Sequence, residues 1–379
     1  MADGAVLFDP ARFAPVRGPL GRARGLPADC YTDPAFRAAE LHRVFAASWN
    51  LVGRADEVPS PGDYRAVHTA FGSILLLRGE DGAVRAFANT CRHRGTRLAE
   101  GAGNVASLVC PHHGWTYGLD GRLTAAPGIA ARGFTPRDYG LTALPIAIWQ
   151  GFLFVGIEPS AEGPEAAFQD LATLLASHRL DEMVCVHRVE RRVACDWKIA
   201  LENGVEDYHT ATVHAGSIGL QRHRLASLGP AYGAMVMERA GGIGTLPGEA
   251  AGLPVIPGLS APARRASYFA ALFPSTILNC TRDSAWWLSA LPDGPGACRI
   301  VLGACVPATS AAAPDFDTRI APYLRRWNAA LEEDVAIMES RQANLMANGG
   351  SAAGPFAPSE ILVHRFANWL LDRILAPSP

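Results

Sequence analysis

Lysine is almost missing from this chain of 379 residues, in which Lys198 is the single lysine among 34 lysine and arginine residues. Basic side chains nearly balance the 36 aspartate and glutamate residues, and the formal net charge is -2. An excess of one sign is what draws a protein to nucleic acid or to an anionic membrane surface. The composition therefore predicts that neither nucleic acid nor a membrane is a partner.

Long apolar runs are also missing, since no stretch approaches the roughly 20 residues that span a bilayer. The opening residues, MADGAVLFDP, lack the basic start and apolar core of a secretory signal. No disulfide framework is visible either, because six of the eight cysteines are scattered. These absences indicate reduced core thiols and a cytoplasmic location. The scattered cysteines are Cys30, Cys185, Cys195, Cys280, Cys298 and Cys305.

The length of the chain allows two domains, and its texture changes twice. Residues 34–48 have helical apolar spacing, whereas residues 49–157 consist of short β-rich runs separated by turn signals such as Asp81-Gly82. Helices and strands then alternate. Residues 240–265 are rich in glycine, proline and alanine, which fits either a binding loop or simple disorder.

Two short segments within the β-rich part each pair cysteine with histidine. Cys91-Arg92-His93 and Cys110-Pro111-His112-His113 are separated by 16 residues. Mixed pairs suit a two-iron cluster in which one iron has two thiolates and the other has two imidazoles. A structural zinc site is the alternative, although zinc fingers usually pair cysteine with cysteine and histidine with histidine. A disulfide between Cys91 and Cys110 is a weaker alternative.

A second group of metal-binding side chains lies downstream. Asn203, Glu206 and His209 recur every three residues and share one helix face, whereas His214 lies off that face and needs a bend to join them. Two histidines and one carboxylate are the ligands of non-heme Fe(II) sites. Asp334 is the candidate carboxylate, because it falls inside the apolar stripe of a predicted helix over 317–345, whereas Glu332, Glu333 and Glu339 point away. A helix cap or an arginine partner is the alternative role for Asp334.

Taken together, these segments resemble the catalytic α subunit of Rieske non-heme iron oxygenases, over about residues 30–345. The resemblance rests on the two Cys/His loops, on Asn203…Glu206…His209…His214 and on Glu333-Asp334-Val335. It implies a [2Fe–2S] cluster and a mononuclear Fe(II), and it leaves His112 outside both ligand sets. The implied cluster ligands are Cys91, His93, Cys110 and His113, and the implied iron ligands are His209, His214 and Asp334.

The resemblance also implies an α+β fold. An all-β Rieske domain over 49–157 is inserted near the N-terminus, followed by a helix-grip catalytic domain with an antiparallel sheet over 158–379. The segment 1–48 is expected to pack on the catalytic domain.

The implied assembly is a homotrimer that receives electrons, originally from NAD(P)H, through a flavin/iron–sulfur reductase or a ferredoxin. Asn203 and Glu206 are the expected catalytic residues. Glu206 is expected to link the two metal centres by a hydrogen bond to His113 of the neighbouring subunit, and Asp207 is its rival for that role.

Within the family, the β-rich half is most similar to choline, betaine, stachydrine and carnitine oxygenases. The implied function is that of a terminal oxygenase component, which uses O2 to hydroxylate or oxidatively demethylate a small quaternary ammonium or N-methyl compound. Gly204 and Thr210 depart from the subgroup pattern, so an aromatic ring substrate is an alternative, and a pure electron carrier is a further one. Trp286 and Trp287 are candidates for a cation-binding aromatic cage, although at least one is expected to be a buried sheet residue.

Overall fold

The computed structural model describes residues 4–130, 132–238, 244–250, 252–347 and 353–376. The chain divides into two compact units, one formed by residues 46–164 and the other by residues 1–45 together with 165–379. Part of the irregular stretch 240–265, namely residues 240–243 and 251, lies outside the described residues.

The unit 46–164 is built from short antiparallel strands in three sheets, ordered β1-β11-β10, β5-β2-β3-β4-β9 and β6-β7-β8. Alternating apolar residues of the larger sheet, such as Leu75, Leu77 and Phe87, pack against the loops that carry Cys91 and Cys110. The strands are β1 (Asn50–Arg54), β2 (Asp63–Thr69), β3 (Gly72–Arg78), β4 (Val84–Ala88), β5 (Ala102–Asn104), β6 (Leu108–Val109), β7 (Thr116–Tyr117), β8 (Leu123–Ala125), β9 (Ala143–Leu144), β10 (Ile146–Trp149) and β11 (Phe152–Val155).

The other unit is organised around one antiparallel sheet, with the strand order β12-β18-β17-β16-β15-β14-β13. Successive side chains of a strand point to opposite faces of the sheet, so each strand contributes residues to both faces. The strands are β12 (Met183–Val193), β13 (Arg224–Gly229), β14 (Tyr232–Glu238), β15 (Ala266–Leu272), β16 (Thr276–Cys280), β17 (Ala285–Pro292) and β18 (Cys298–Pro307).

The longest helix, α10, contacts one face of this sheet through Ile320, Tyr323 and Trp327, which pack on Leu302 and Ala304. No helix in the described ranges is long and apolar enough to cross a membrane. The helices are α1 (Gly4–Leu7), α2 (Ala14–Arg17), α3 (Asp29–Thr32), α4 (Pro34–Glu40), α5 (Pro164–Ala167), α6 (Gln169–Leu175), α7 (Trp197–Gly204), α8 (Thr210–Val213), α9 (Ala308–Ala311), α10 (Phe316–Ala347) and α11 (Ile361–Ile374).

The single lysine fixes the start of α7. The ammonium Nζ of Lys198 lies 2.6 Å from Oε1 of Glu40 and 2.7 Å from Oδ1 of Asp196, and the Lys198 side chain is fully buried. Although burial lowers it, the charges of Asp196 and Glu40 raise the pKa of Lys198 overall. Asp196 also accepts a hydrogen bond from the Lys198 backbone N–H as the helix cap. These contacts attach the N-terminal segment to the helix that leads into the candidate iron site.

The expected α+β class is confirmed, with an all-β part and a mixed part that contains an antiparallel sheet. For the β-rich run before Cys110 the sequence predicts a strand over 105–110, and this prediction is wrong in length, because only Leu108–Val109 is a strand. Its end gives way to the loop at Cys110, where the Cys110 N–H donates to the carbonyl of Trp115 at 2.7 Å rather than to a neighbouring strand.

Candidate metal centres

The two Cys/His loops share one backbone conformation. In each loop the cysteine carbonyl accepts a hydrogen bond, 3.0 Å long, from the N–H of the glycine four residues later. Those glycines, Gly95 and Gly114, have φ angles of 79° and 70°, which side chains rarely adopt. In each loop the cysteine N–H then donates to the residue after the glycine. The repeated turn presents one sulfur and one imidazole from each loop.

The side chains of the two loops converge. Nδ1 of His93 lies 3.2 Å from Nδ1 of His113, and His93 stacks on Trp115 with ring centroids 4.8 Å apart. His112 instead places its Nδ1 3.1 Å from Oγ1 of Thr96. The structure therefore brings together the two histidines that the family pattern assigns to the cluster and directs His112 elsewhere.

Tyr117 contacts the sulfur atom of one of the two cysteines in this group. Its hydroxyl lies 3.3 Å from Sγ of Cys91 and accepts the backbone N–H of Arg92 at 3.0 Å. Burial and the neighbouring Cys91 raise the pKa of Tyr117, so the phenol keeps its proton and can donate to the sulfur. Hydrogen bonds to ligating sulfurs are one of the ways in which a protein sets a cluster potential. Tyr117 had not been identified from the sequence.

The second group forms where the helix that begins at Trp197 breaks. Helix α7 ends at Gly204, and the carboxylate of Glu206 then accepts the backbone N–H groups of Tyr208 and His209, the latter at 3.2 Å. A new short helix starts at Thr210 and ends before His214. This break is the bend that the five-residue spacing of His209 and His214 required.

Three ligand atoms meet at this break. Nε2 of His209 lies 3.3 Å from Nε2 of His214, and Oδ1 of Asp334 lies 3.5 Å and 3.1 Å from these two nitrogens. One ligand atom of each residue lies within 4.8 Å of the others. Oδ1 of Asp334 is buried and has no hydrogen-bond partner among the described residues. Two facing imidazole nitrogens and a buried carboxylate oxygen fit a divalent metal ion and the facial-triad donor set of Fe(II).

The far nitrogen of each imidazole is held by its own carboxylate. Oε1 of Glu206 lies 2.5 Å from Nδ1 of His209, and Oε2 of Glu333 lies 2.6 Å from Nδ1 of His214. Because an ionised carboxylate only accepts hydrogen bonds, these contacts favour the proton on Nδ1 and leave the Nε2 lone pair able to bind a metal. Although burial lowers it, Asp334 and Glu333 raise the pKa of His214 overall, which reflects an environment that favours a cation.

Glu333 belongs to the candidate site, although helix periodicity predicts that it points away from the apolar stripe. Its Oε2 contacts His214 and also accepts a hydrogen bond from the hydroxyl of Ser217 at 2.6 Å. The sequence signal was present in Glu333-Asp334, but only the fold shows that His214 approaches α10 from the Glu333 side. Asp207, the alternative to Glu206, contacts His223 instead. Its Oδ2 accepts a hydrogen bond from the backbone N–H of His223 at 2.7 Å and lies 3.1 Å from Nδ1 of His223.

Replacing Glu333 by alanine, which leaves Nδ1 of His214 without its acceptor, is expected to weaken iron binding by about 10–100-fold, the usual cost of removing a partner behind a metal-binding histidine. The measurement is the iron retained during dialysis against graded chelator. Glu332→Ala is the matched control, because Glu332 is 65% exposed and pairs with Arg191. Equal iron loss in both variants would contradict the role of Glu333.

The three candidate ligand residues line a cavity of about 120 Å3, which residues of α10 and of one face of the sheet also line. Trp286 lines it, whereas its neighbour Trp287 is fully buried and packs against Gly303. Asn203 and Gly204 also line it. Most other lining residues are apolar: Ile218, Met235, Met237, Phe269, Ile277, Leu288, Leu302, Trp327, Ala330 and Leu331.

Residues 180–376 match the family model described as ring hydroxylating alpha subunit (catalytic domain), and residues 48–145 match the Rieske [2Fe-2S] domain. The chain belongs to the ring-hydroxylating alpha subunit family. The two matches imply a [2Fe–2S] cluster and a mononuclear iron as cofactors. Both donor sets described above fit these groups.

Among relatives of this alpha subunit is the glycine betaine monooxygenase oxygenase subunit of Chromohalobacter salexigens. It is 38% identical over 193 residues, which cover 50% of this chain and 43% of that relative. The matched segment therefore spans less than half of the relative's length.

Two solved structures share the fold. The quaternary ammonium Rieske monooxygenase CntA in complex with gamma-butyrobetaine has a TM-score of 0.79 at 20% identity, covering 95% of this chain and 98% of that chain. Naphthalene 1,2-dioxygenase from Rhodococcus sp., bound to indole, has a TM-score of 0.76 at 20% identity, covering 94% and 95%. Likeness at this level of identity establishes the shared architecture.

Proposed function

We propose that this alpha subunit is a terminal oxygenase component that uses O2 and reductase-supplied electrons to hydroxylate or oxidatively demethylate a small quaternary ammonium or N-methyl compound. The observation that carries the proposal is that His209, His214 and Asp334 converge in the wall of a cavity that Phe269, Trp286 and Trp327 also line. The name of the glycine betaine relative supports the substrate class.

The side chains around the site have separate tasks in this proposal. Bound Fe(II) supplies oxygen activation, and the cluster supplies single electrons. Glu206 and Glu333 hold the Nδ1 protons of the two imidazoles and so keep both Nε2 atoms directed inward. The apolar wall excludes water from the reacting carbon, and Trp286, Phe269 and Trp327 offer ring faces to a cationic methylammonium group.

The same proposal includes four cluster ligands, namely Cys91, His93, Cys110 and His113. It also includes a homotrimer, a ferredoxin or reductase as the electron donor, and a division into domains over 49–157 and 158–379. The link from Glu206 to His113 of another copy of the chain also stays a prediction. It is supported within this chain by the contact of Glu206 with an iron-site histidine.

Iron content and turnover test the proposal together. We expect about three irons per chain, two in the cluster and one at the histidine pair, whereas an electron carrier holds about two. With a surrogate reductase, substrate-dependent O2 uptake should accompany release of formaldehyde or a hydroxylated product from N-methyl compounds. Two irons per chain and no product from any compound would contradict an oxygenase.

An aromatic ring substrate is the second candidate, favoured by the mostly apolar lining of the cavity. The same assay separates the two candidates, because naphthalene-like or indole-like compounds would then be oxidised in preference to methylammonium compounds.

Replacing Glu206 by glutamine is expected to keep both metals, because the amide oxygen still accepts the hydrogen bond from Nδ1 of His209. Electron transfer between the metals is expected to slow by at least about tenfold, because the amide carries no charge and takes up no proton at neutral pH. The measurement is reoxidation of the reduced cluster in a single turnover with substrate and O2. Glu206→Asp is the conservative comparison. A normal reoxidation rate in the glutamine variant would refute this role.

A further inference from the structure

A buried pair of an aspartate and a histidine lies beside the cavity and has no task in the function proposed above. The side chains of Asp207 and His223 are 7% and 10% exposed, and His223 lines the cavity. Oδ2 of Asp207 accepts the backbone N–H of His223 at 2.7 Å and also lies 3.1 Å from Nδ1 of the ring. The one carboxylate oxygen therefore fixes both the position and the orientation of the imidazole.

The contact with Asp207 determines what the imidazole offers to a ligand. Because an ionised carboxylate only accepts hydrogen bonds, this contact favours the proton on Nδ1 of His223. The neutral ring then carries its free lone pair on Nε2, which is a hydrogen-bond acceptor. In the part of the chain that the structure describes, the His223 side chain bonds to Asp207 and to no other group, so Nε2 can accept a hydrogen bond from a bound molecule.

The imidazole lies next to the aromatic part of the cavity wall. The ring centroid of His223 is 5.8 Å from that of Phe269, which in turn is 6.0 Å from that of Trp286. Phe269 is the cross-strand partner of Asn279, and Asn279 is the partner of Trp286, so these three residues form one row on the sheet. All of them line the cavity. A molecule whose methyl groups contact these rings therefore lies beside His223.

The same wall contains buried polar atoms that lack a partner. Within the described residues, Oγ of Ser267, Oδ1 of Asn279 and Nε1 of Trp286 are buried without a hydrogen bond. Ser267 is 3% exposed and lies two residues before Phe269, which places both on the same face of β15. Buried polar atoms normally have a partner. Independently of His223, these atoms indicate that the cavity takes a molecule with a polar group.

The mixture of donors and acceptors narrows the choice of polar group. The indole N–H of Trp286 only donates, whereas Nε2 of His223 accepts and the hydroxyl of Ser267 does both. A hydroxyl group can accept from a donor in this wall and donate to Nε2. A carboxylate only accepts, so its oxygens would face the lone pair of Nε2 with the charge of Asp207 behind it. A methyl group in the same place would leave Nε2 without a partner.

We propose that His223, oriented by Asp207, accepts a hydrogen bond from a hydroxyl group of the substrate and thereby selects methylammonium compounds that carry a hydroxyl over analogues without one. His223 is then a substrate-binding residue, and Asp207 is the residue that positions it. This inference rests on the proposed function, since it specifies which methylammonium compounds the site takes.

Choline and propyltrimethylammonium form the matched pair of probes, because they share the trimethylammonium group and the chain length and differ in a terminal hydroxyl against a methyl. Binding of each is measured by calorimetry on the anaerobic holoenzyme. The wild type is expected to bind choline at least about tenfold more tightly, since the analogue leaves a buried acceptor without a partner. His223→Phe keeps a ring but removes Nε2, so the two affinities should come within about threefold of each other.

His187→Phe is the matched control, because the His187 ring stacks on Trp327 with centroids 6.4 Å apart, yet His187 is not among the described residues that line the cavity. It should keep the wild-type ratio of the two affinities. His223→Gln places an amide near the position of Nε2 and should restore part of the preference for choline. Iron content, the cluster spectrum and the melting temperature verify the folding of each variant.

The ratio in the wild type tests the proposal without any variant. Equal affinities for the two probes, or no binding of choline, would overturn it. An unchanged ratio in His223→Phe, or the same loss of preference in His187→Phe, would overturn it as well. Tighter binding of glycine betaine than of choline to the wild type would also contradict it, because a carboxylate has no proton to donate to Nε2.

The proposed function and the role of His223 fail in different ways. If choline binds through His223 but no compound is oxidised, the role of His223 stands and the oxygenase function is wrong. If the wild type oxidises propyltrimethylammonium as efficiently as choline, the oxygenase function stands and the role of His223 is wrong.

Discussion

Asp334→Ala is expected to lower the iron content from about three to about two atoms per chain and to abolish substrate oxidation, while the Rieske spectrum stays intact. The carboxylate oxygen of Asp334 lies 3.1 Å and 3.5 Å from the two imidazole nitrogens. Alanine removes the one negative ligand, and two neutral imidazoles alone hold Fe(II) weakly. Metal analysis, visible spectroscopy and single-turnover product formation measure the three outcomes.

The control for this prediction is Glu332→Ala, which removes an exposed carboxylate from the same turn of α10 and should keep full iron and activity. Asp334→Asn keeps the shape of the side chain and tests the charge by itself. Wild-type iron content in both Asp334 variants would contradict the ligand assignment and would point to Glu206 or Glu333 as the carboxylate that holds the metal.

Much of the secondary structure could be predicted because its signals are local. The helix predicted over 317–345 is observed as Phe316–Ala347, and the β-rich part over 49–157 contains the expected short strands. Apolar spacing and turn residues within a dozen positions carry this information. The domain boundaries at 49 and 157 remain predictions.

The iron site was only partly predictable. The spacing of His209 and His214 showed that a bend was needed, but the break after Gly204 depends on Glu206, whose carboxylate accepts backbone N–H groups that would otherwise continue the helix. Glu333 was missed because helix periodicity tells which face a residue occupies, not which neighbour approaches from the side. His214 lies 119 residues earlier in the chain, and only the fold brings it to Glu333.

The residues that line the cavity could not be predicted from the sequence, for a different reason. The lining depends on the register of β16 on β17, which pairs Asn279 directly with Trp286 and places both residues in the wall of the cavity. A shift of one residue would turn Trp286 away and place Trp287 in the cavity.

His113→Ala is expected to abolish the Rieske spectrum and reduce turnover with a reductase to background, while one iron per chain, about a third of the total, remains at the histidine pair. His113 and His93 bring their Nδ1 atoms to 3.2 Å, and removing one imidazole leaves one iron of the cluster without half of its protein ligands. Absorption and electron paramagnetic resonance of the reduced protein measure the loss.

His112→Ala is the matched control, because His112 is adjacent in sequence and stacks on His113 with ring centroids 3.7 Å apart, yet its Nδ1 faces Thr96. We expect that variant to keep the cluster, with at most a shift of its potential. Loss of the spectrum in the His112 variant and its survival in the His113 variant would exchange the two assignments. If the wild-type protein were colourless and contained zinc, the two Cys/His loops would form a structural zinc site and not an iron–sulfur cluster. The proposed route of electrons to the iron at Asp334 would then be wrong as well.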